Sequence, residues 1–145
     1  MALKVELKPG ERIIIGESVI TNDNQRTRLF IEGSAPILRE KDILTPKTAD
    51  SPAKRIYLAV QMMYLSKEVH KFQDDYFALV KDILEAAPSS IPYITRVSNH
   101  ILSGALYKAL KEARGLIDYE QKLISHVQSG RASLPADPAD DGQSP

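Results

Sequence analysis

The chain has 145 residues, with 19 basic and 19 acidic side chains and 43% hydrophobic residues, enough for one ordinary domain or a small domain with a helical companion, and too short for a large multidomain architecture. The balanced charge excludes a strong global field toward nucleic acid or membrane, so any such binding has to be local. Cysteine is absent, which removes disulfides, thiolate–zinc sites and a catalytic thiol. Met1–Glu6 carries no secretion-type pattern and no stretch approaches the ~18 consecutive apolar residues of a membrane span, so a soluble, cytoplasmic protein with no membrane partner is expected.

In chain order, Leu3, Val5 and Leu7 alternate with Lys4, Glu6 and Lys8, the period-2 pattern of a strand with one wet face. Pro9-Gly10 marks a turn. Arg12-Ile13-Ile14-Ile15, closed by Gly16, predicts a short strand apolar enough to be covered on both faces. Glu17–Ile20 follows as a third strand. Beyond a turn at Thr21–Asn24, the strand Arg28–Ile31 sets Arg26, Arg28, Phe30 and Glu32 on one side and Leu29 and Ile31 on the other. After a second turn around Gly33–Pro36, Ile37–Ile43 is expected to be extended, so that Arg39 and Lys41 project together. Strands this closely spaced leave no room for crossover helices, and their pairing should be antiparallel in one small sheet.

Composition shifts after Leu44, and Thr45–Ser51 reads as a linker. Ser51-Pro52 is a helix start, with a hydroxyl to cap a free N–H and a proline whose φ is already set for the first helical position. Ile56, Val60, Met63 and Tyr64 then recur at helical spacing up to a break near Ser66. A second helix over Lys67–Ala87 gathers Val69, Phe72, Tyr76, Leu79, Val80, Ile83 and Leu84 on one side and ends at Pro88–Pro92. Tyr93–Gln128 is helical again, divided in two near Ser103-Gly104, and Gly130 is the expected stop. Arg131–Pro145 holds three prolines and three aspartates and almost nothing bulky to bury, the composition of a disordered acidic tail. The expected organisation is α+β: an antiparallel β unit over 1–46, a linker over 47–50, a three- or four-helix region over 51–129 and the tail over 130–145.

Two blocks carry a resemblance. Gly10-Glu11-Arg12-Ile13-Ile14-Ile15-Gly16 and Ser34–Leu44, together with Pro52-Ala53-Lys54-Arg55-Ile56-Tyr57, Ala59-Val60-Gln61 and Tyr64-Leu65, resemble the flagellum biosynthesis repressor family FlbT over most of residues 3–125. The resemblance implies a cytoplasmic bacterial regulator that acts after transcription. It associates with the 5′ untranslated leader of flagellin mRNA and alters its stability or translation, often opposed by FlaF, and the direction of control stays open. Residues 1–44 are also similar to the carbon storage regulator CsrA, a small all-β RNA-binding protein, so the β unit is expected to be CsrA-like. In CsrA the RNA lies against the first strand of one protomer and the last strand of the other. Arg39 matches the key arginine of that last strand, whereas Leu7-Lys8 stands where CsrA has two consecutive arginines.

RNA recognition requires cations for phosphates and surfaces for unstacked bases. Arg39, Lys41, Lys8, Arg12, Arg26 and Arg28 are the candidate cations and Phe30 the candidate stacking face, with Lys54 and Arg55 extending the surface from the first helix. Against this, Glu6, Glu11, Glu17, Glu32, Glu40 and Asp42 are placed to pair with the same cations. The eight basic and seven acidic residues of 1–48 leave no net footprint. Lys54 and Arg55 at a helix N-terminus also oppose the helix dipole, a local cost without visible gain.

His70, His100 and His126 lack the spacing of a metal pair, and Asp74-Asp75 and Asp82-Glu85 lie on the polar side of a helix, so no metal and no cofactor is expected. No nucleophile elbow, triad or phosphate loop is present, so no catalytic residue is assigned and the chain is not read as an enzyme. Tyr57, Met62, Met63 and Tyr64 surround the first helix widely enough to suggest a partner groove or a homodimer surface. Two functions are therefore carried forward: a post-transcriptional regulator contacting the flagellin mRNA leader, or a protein-binding adaptor for FlaF, flagellin or another regulator without direct RNA contact.

Overall fold

Val5 and Leu7 of the first strand enter the same apolar layer as Ile13 of the second, and the β half is built on that contact. The computed structural model describes residues 2–133, with side chains to Val127. Five strands come first: β1 Ala2–Leu7, β2 Arg12–Ile15, β3 Ser18–Thr21, β4 Thr27–Glu32 and β5 Ile37–Arg39. All pairings are antiparallel, and they form two sheets rather than the expected one: a β1–β4 ribbon and a β3–β2–β5 sheet. The β2–β3 hairpin turns on Gly16 at φ +62°, the left-handed region a two-residue hairpin loop needs.

Because alternate residues face opposite sides, the central strand β2 serves two cores at once. Ile13 and Ile15, with Ile37 of β5, pack on Val5, Leu7, Leu29 and Ile31 of the ribbon. Ile14 and Leu38, paired across β2 and β5, pack instead on the helices. A shift of one residue in this register would exchange the two sets.

The helices are α1 Pro52–Ser66, α2 Val69–Ala86, α3 Ile91–Leu102 and α4 Leu106–Ser133, giving an α+β fold. α1 is central, packing on both α2 and α4, while α3 packs on α4. The Ser51 hydroxyl accepts the Lys54 N–H at 3.2 Å with Pro52 in the first turn, as the sequence predicts. Gly104, at φ +79°, breaks α3 from α4. α4 continues through Gly130 to Ser133, so that glycine is not the stop expected of it; one glycine costs about 1 kcal/mol against alanine, which slows a helix without ending it. The expected tail lies outside the described residues from 134 onward.

The opposition of Lys54 and Arg55 to the α1 dipole is resolved from the far end of the chain. Glu120 of α4 accepts the Ser51 hydroxyl at 2.5 Å and the Ala53 N–H at 3.0 Å, placing a carboxylate where the first turn supplies no acid of its own. Lys54 pairs with Asp50 at 3.2 Å. Glu120→Ala should therefore lower stability by about 1–2 kcal/mol, the range of a lost cap. The urea midpoint would fall with an unchanged slope, and no shift would show the cap to be idle.

α1 also holds the end of the β unit through three side chains on one face. The Tyr57 hydroxyl donates to the Asp42 carbonyl at 2.5 Å. The Gln61 amide clasps Leu44, accepting its N–H and donating to its carbonyl, each at 2.9 Å. The Tyr64 hydroxyl accepts the Ile37 N–H and donates to its carbonyl, each at 3.1 Å, and so covers the free edge of β5. Burial pushes both tyrosine hydroxyls above their ordinary pKa, against the opposing hydrogen bonds of Arg114 on Tyr57 and of Ile37 on Tyr64.

Candidate nucleic-acid interface

The expected strand Ile37–Ile43 is real only to Arg39; Glu40–Asp42 form a 3-10 turn. The chain is drawn out of the sheet there because the Glu40 carboxylate accepts the Arg12 N–H at 2.6 Å while Tyr57 holds the Asp42 carbonyl. Arg39 and Lys41 thus lose the strand parity that would have aligned them. They border one groove all the same, because the turn swings Lys41 toward the helices.

That groove belongs to a seam between the β unit and the helices, formed by three adjoining cavities of about 370, 450 and 650 Å³. Lys4, Arg39 and Lys41 come to it from the β side. Lys111 and Arg114 of α4 face them, and Lys67 and Lys108 lie at the far end. Among the described residues, the one carboxylate on these walls is Asp42, already 3.5 Å from Arg114. Arg114 lies over the Tyr57 ring at 4.9 Å, and its partner's carboxylate and that ring hold it in place. Tyr107 borders all three cavities. A chain without net charge therefore carries a locally cationic strip.

Arg39 is the most committed of these cations. Its Nη2 donates to the Glu6 carbonyl at 2.7 Å and lies 3.7 Å from the Glu11 carboxylate. Its Nε is buried and has no partner among the described residues. The side chain spans from β5 to β1 and ties the sheet to the ribbon, which makes it a strut first and a phosphate contact second. The Lys8 N–H, with Arg39 adding to it, holds the Glu11 carboxyl below the usual carboxylate range. Arg39→Ala should cost about 1–2 kcal/mol of stability, read as a lower thermal midpoint in the absence of any ligand. A midpoint equal to wild type would return Arg39 to the role of a free cation.

The other sequence candidates lie elsewhere. Lys8 is exposed in the β1–β2 turn, Arg12 starts β2, and Arg26 precedes β4. Arg28 pairs with Glu6 at 3.5 Å on the outer face of the ribbon, where Phe30, 64% exposed, stands opposite Lys4. None of these five borders the seam. Tyr57 and Met63, read as partner residues, are buried in the core and offer no surface; Tyr64 is half-buried against β5, and of the four only Met62 is exposed. The sequence reading missed Tyr107, Lys108, Lys111 and Arg114. Their signal was present as Tyr107, Lys111 and Arg114 at i, i+4 and i+7, which sets an aromatic ring and two cations on one helix face. Among the described residues there is no cluster able to hold a metal ion and no helix long and apolar enough to cross a membrane.

Comparison with known proteins sets the chain among bacterial flagellar proteins. It belongs to the FlbT family: the family described as flagellar protein FlbT matches residues 3–124. The chain is 57% identical over 141 residues, 97% of each chain, to the probable flagellum biosynthesis repressor protein FlbT 1 of Bradyrhizobium diazoefficiens. It is 59% identical over 125 residues, 86% of this chain and 99% of the relative, to the probable flagellum biosynthesis repressor protein FlbT of Rhodopseudomonas palustris. Against the flagellum biosynthesis repressor protein FlbT of Caulobacter vibrioides the identity is 35% over 133 residues, 90% of this chain and 94% of the relative. No solved structure matches.

Proposed function

We propose that this protein regulates flagellar synthesis after transcription, as a repressor that holds the 5′ untranslated leader of flagellin mRNA in the seam between its β unit and α4. The observation that carries this reading is the seam itself: Lys41, Lys67, Lys108 and Lys111 border it with no salt bridge among the described residues, on a chain of zero net charge. A polyanion is the ligand such a strip favours. The names of the relatives supply the flagellar context. The likeness to CsrA implies RNA contact along the first and last strands, and here Lys4 of β1 and Arg39 of β5 border one groove within a single chain.

The test is fluorescence anisotropy of a labelled flagellin leader with the purified full chain at several salt concentrations. Direct binding gives a log affinity that falls with log salt by about 0.7 for each phosphate neutralised. A flat dependence, or no binding, would remove the RNA contact.

A second reading has its own observation. Leu58 and Met62 of α1 and Phe72 and Leu79 of α2 line an apolar groove of about 410 Å³ on the outer face of the helices. This groove suits an adaptor that grips an amphipathic helix of a partner such as FlaF or flagellin. If the leader is retained only when a protein partner is added, the adaptor reading prevails.

A further inference from the structure

Tyrosines in this chain divide by what their hydroxyls do. Those of Tyr57, Tyr64, Tyr76 and Tyr119 each hydrogen-bond within the protein, to Asp42, Ile37, Ser98 and Ser89 respectively. The Tyr93 hydroxyl has no partner among the described residues, but its ring is stacked on Tyr119 with Arg96 over it. Tyr107 differs. It is 48% exposed, its hydroxyl has no partner among the described residues, and its ring is the one aromatic surface shared by all three cavities of the seam. The ring stands half open in a cationic groove, and the β5 edge is held by the Tyr64 hydroxyl without it.

We infer that Tyr107 is a base-stacking platform, and that the ligand of the seam is a single-stranded polynucleotide with unstacked bases. This rests on the reading that the seam holds RNA and narrows it to one physical state of that RNA. Tyr64 props the Tyr107 ring from the side, with centroids 5.6 Å apart and planes at 44°. Lys111, one helical turn on, holds its ammonium over one face of the ring, 5.5 Å from the centroid, so a base stacks on the other. A base entering beside Tyr107 brings its phosphate within reach of Lys111, while Lys41 meets the strand from the opposite wall. A duplex cannot use this arrangement. Its bases are paired and stacked and present no free face.

The site is sequence-tolerant at that position, since every base has a π-face, and its contribution is separable from that of the cations. Tyr107 is on the surface side of α4, so its replacement leaves the core untouched. The chain contains no tryptophan, and Tyr107→Trp therefore installs a single reporter at the platform.

The experiment uses the full chain, a labelled 12-nucleotide segment of a flagellin leader and the same segment annealed to its complement. Wild type and Tyr107→Phe should bind the single strand alike. Tyr107→Ala should bind it about 5- to 150-fold more weakly, the range of one lost base–aromatic stack, with an unchanged salt slope because no cation has been removed. Annealing should weaken wild-type binding, and Tyr107→Trp fluorescence should be quenched by the single strand. Wild-type binding of the single strand with an unaffected Tyr107→Ala, an unquenched Tyr107→Trp, or equal affinity for the duplex overturns the platform while leaving the cationic seam as an RNA site. Failure of wild type to bind either RNA overturns the seam reading and the platform together.

Discussion

Exchanging Lys41 and Lys111 together for glutamate should weaken binding of the leader by roughly a hundredfold at low salt, and flatten the salt slope by about 1.4, two phosphate contacts at about 0.7 each. The two side chains face each other across one cavity, one from the 3-10 turn and one from α4. Both are exposed, and neither has a salt bridge among the described residues, so reversing them leaves the fold intact. The comparison that gives this meaning is Lys8→Glu with Arg26→Glu, the same change in net charge at exposed sites outside the seam. That pair should shift affinity far less, since neither residue borders the seam and exposed charges away from the ligand are screened by salt. Equal losses in the two double variants would mean that RNA is held by diffuse charge on the β surface and that the seam is not the site.

The largest expected effect on stability is at Gln61. Its amide is 3% exposed and satisfies both backbone groups of Leu44, the residue where the β unit hands over to the helices. Gln61→Leu keeps the volume but strands a half-buried N–H and carbonyl, at about 1–3 kcal/mol for each unsatisfied group. A loss of about 2–4 kcal/mol is expected, which for a chain of this size lowers the thermal midpoint by roughly 6–12 °C. Tyr64→Phe, which frees the Ile37 N–H and carbonyl at the more accessible β5 edge, should cost less. A Gln61→Leu midpoint within about 2 °C of wild type would mean that the 44–61 clasp contributes little and that apolar packing alone joins the two halves.

These two results read different layers of the same interface. Tyr57, Gln61 and Tyr64 fasten α1 to residues 37–44, and that fastening brings the 3-10 turn, and Lys41 with it, up to α4. A variant that loosens the clasp should therefore lose RNA affinity as well as stability. A variant in Lys41 or Lys111 should lose affinity alone.

What the residues settle by themselves is local. The alternation of Leu3, Val5 and Leu7, the Gly16 hairpin, the Ser51-Pro52 helix start and the Gly104 break are each specified by neighbours within a few positions, through side-chain period, backbone sterics or a cap. For that reason the strands and helices were legible to within a residue or two, apart from the far half of Ile37–Ile43 and the end of α4. What only the tertiary structure decided is every contact across long stretches of chain: Arg39 reaching Glu6, Tyr57 taken from a partner surface into the core, Glu120 capping a helix 67 residues earlier, and α4 closing a cationic seam on a β unit that is itself nearly neutral. Charge and hydrogen bonds act through space, so a count along residues 1–48 sees paired ions, and only the fold sets Lys41 opposite Lys111 and Arg114 with one carboxylate between them.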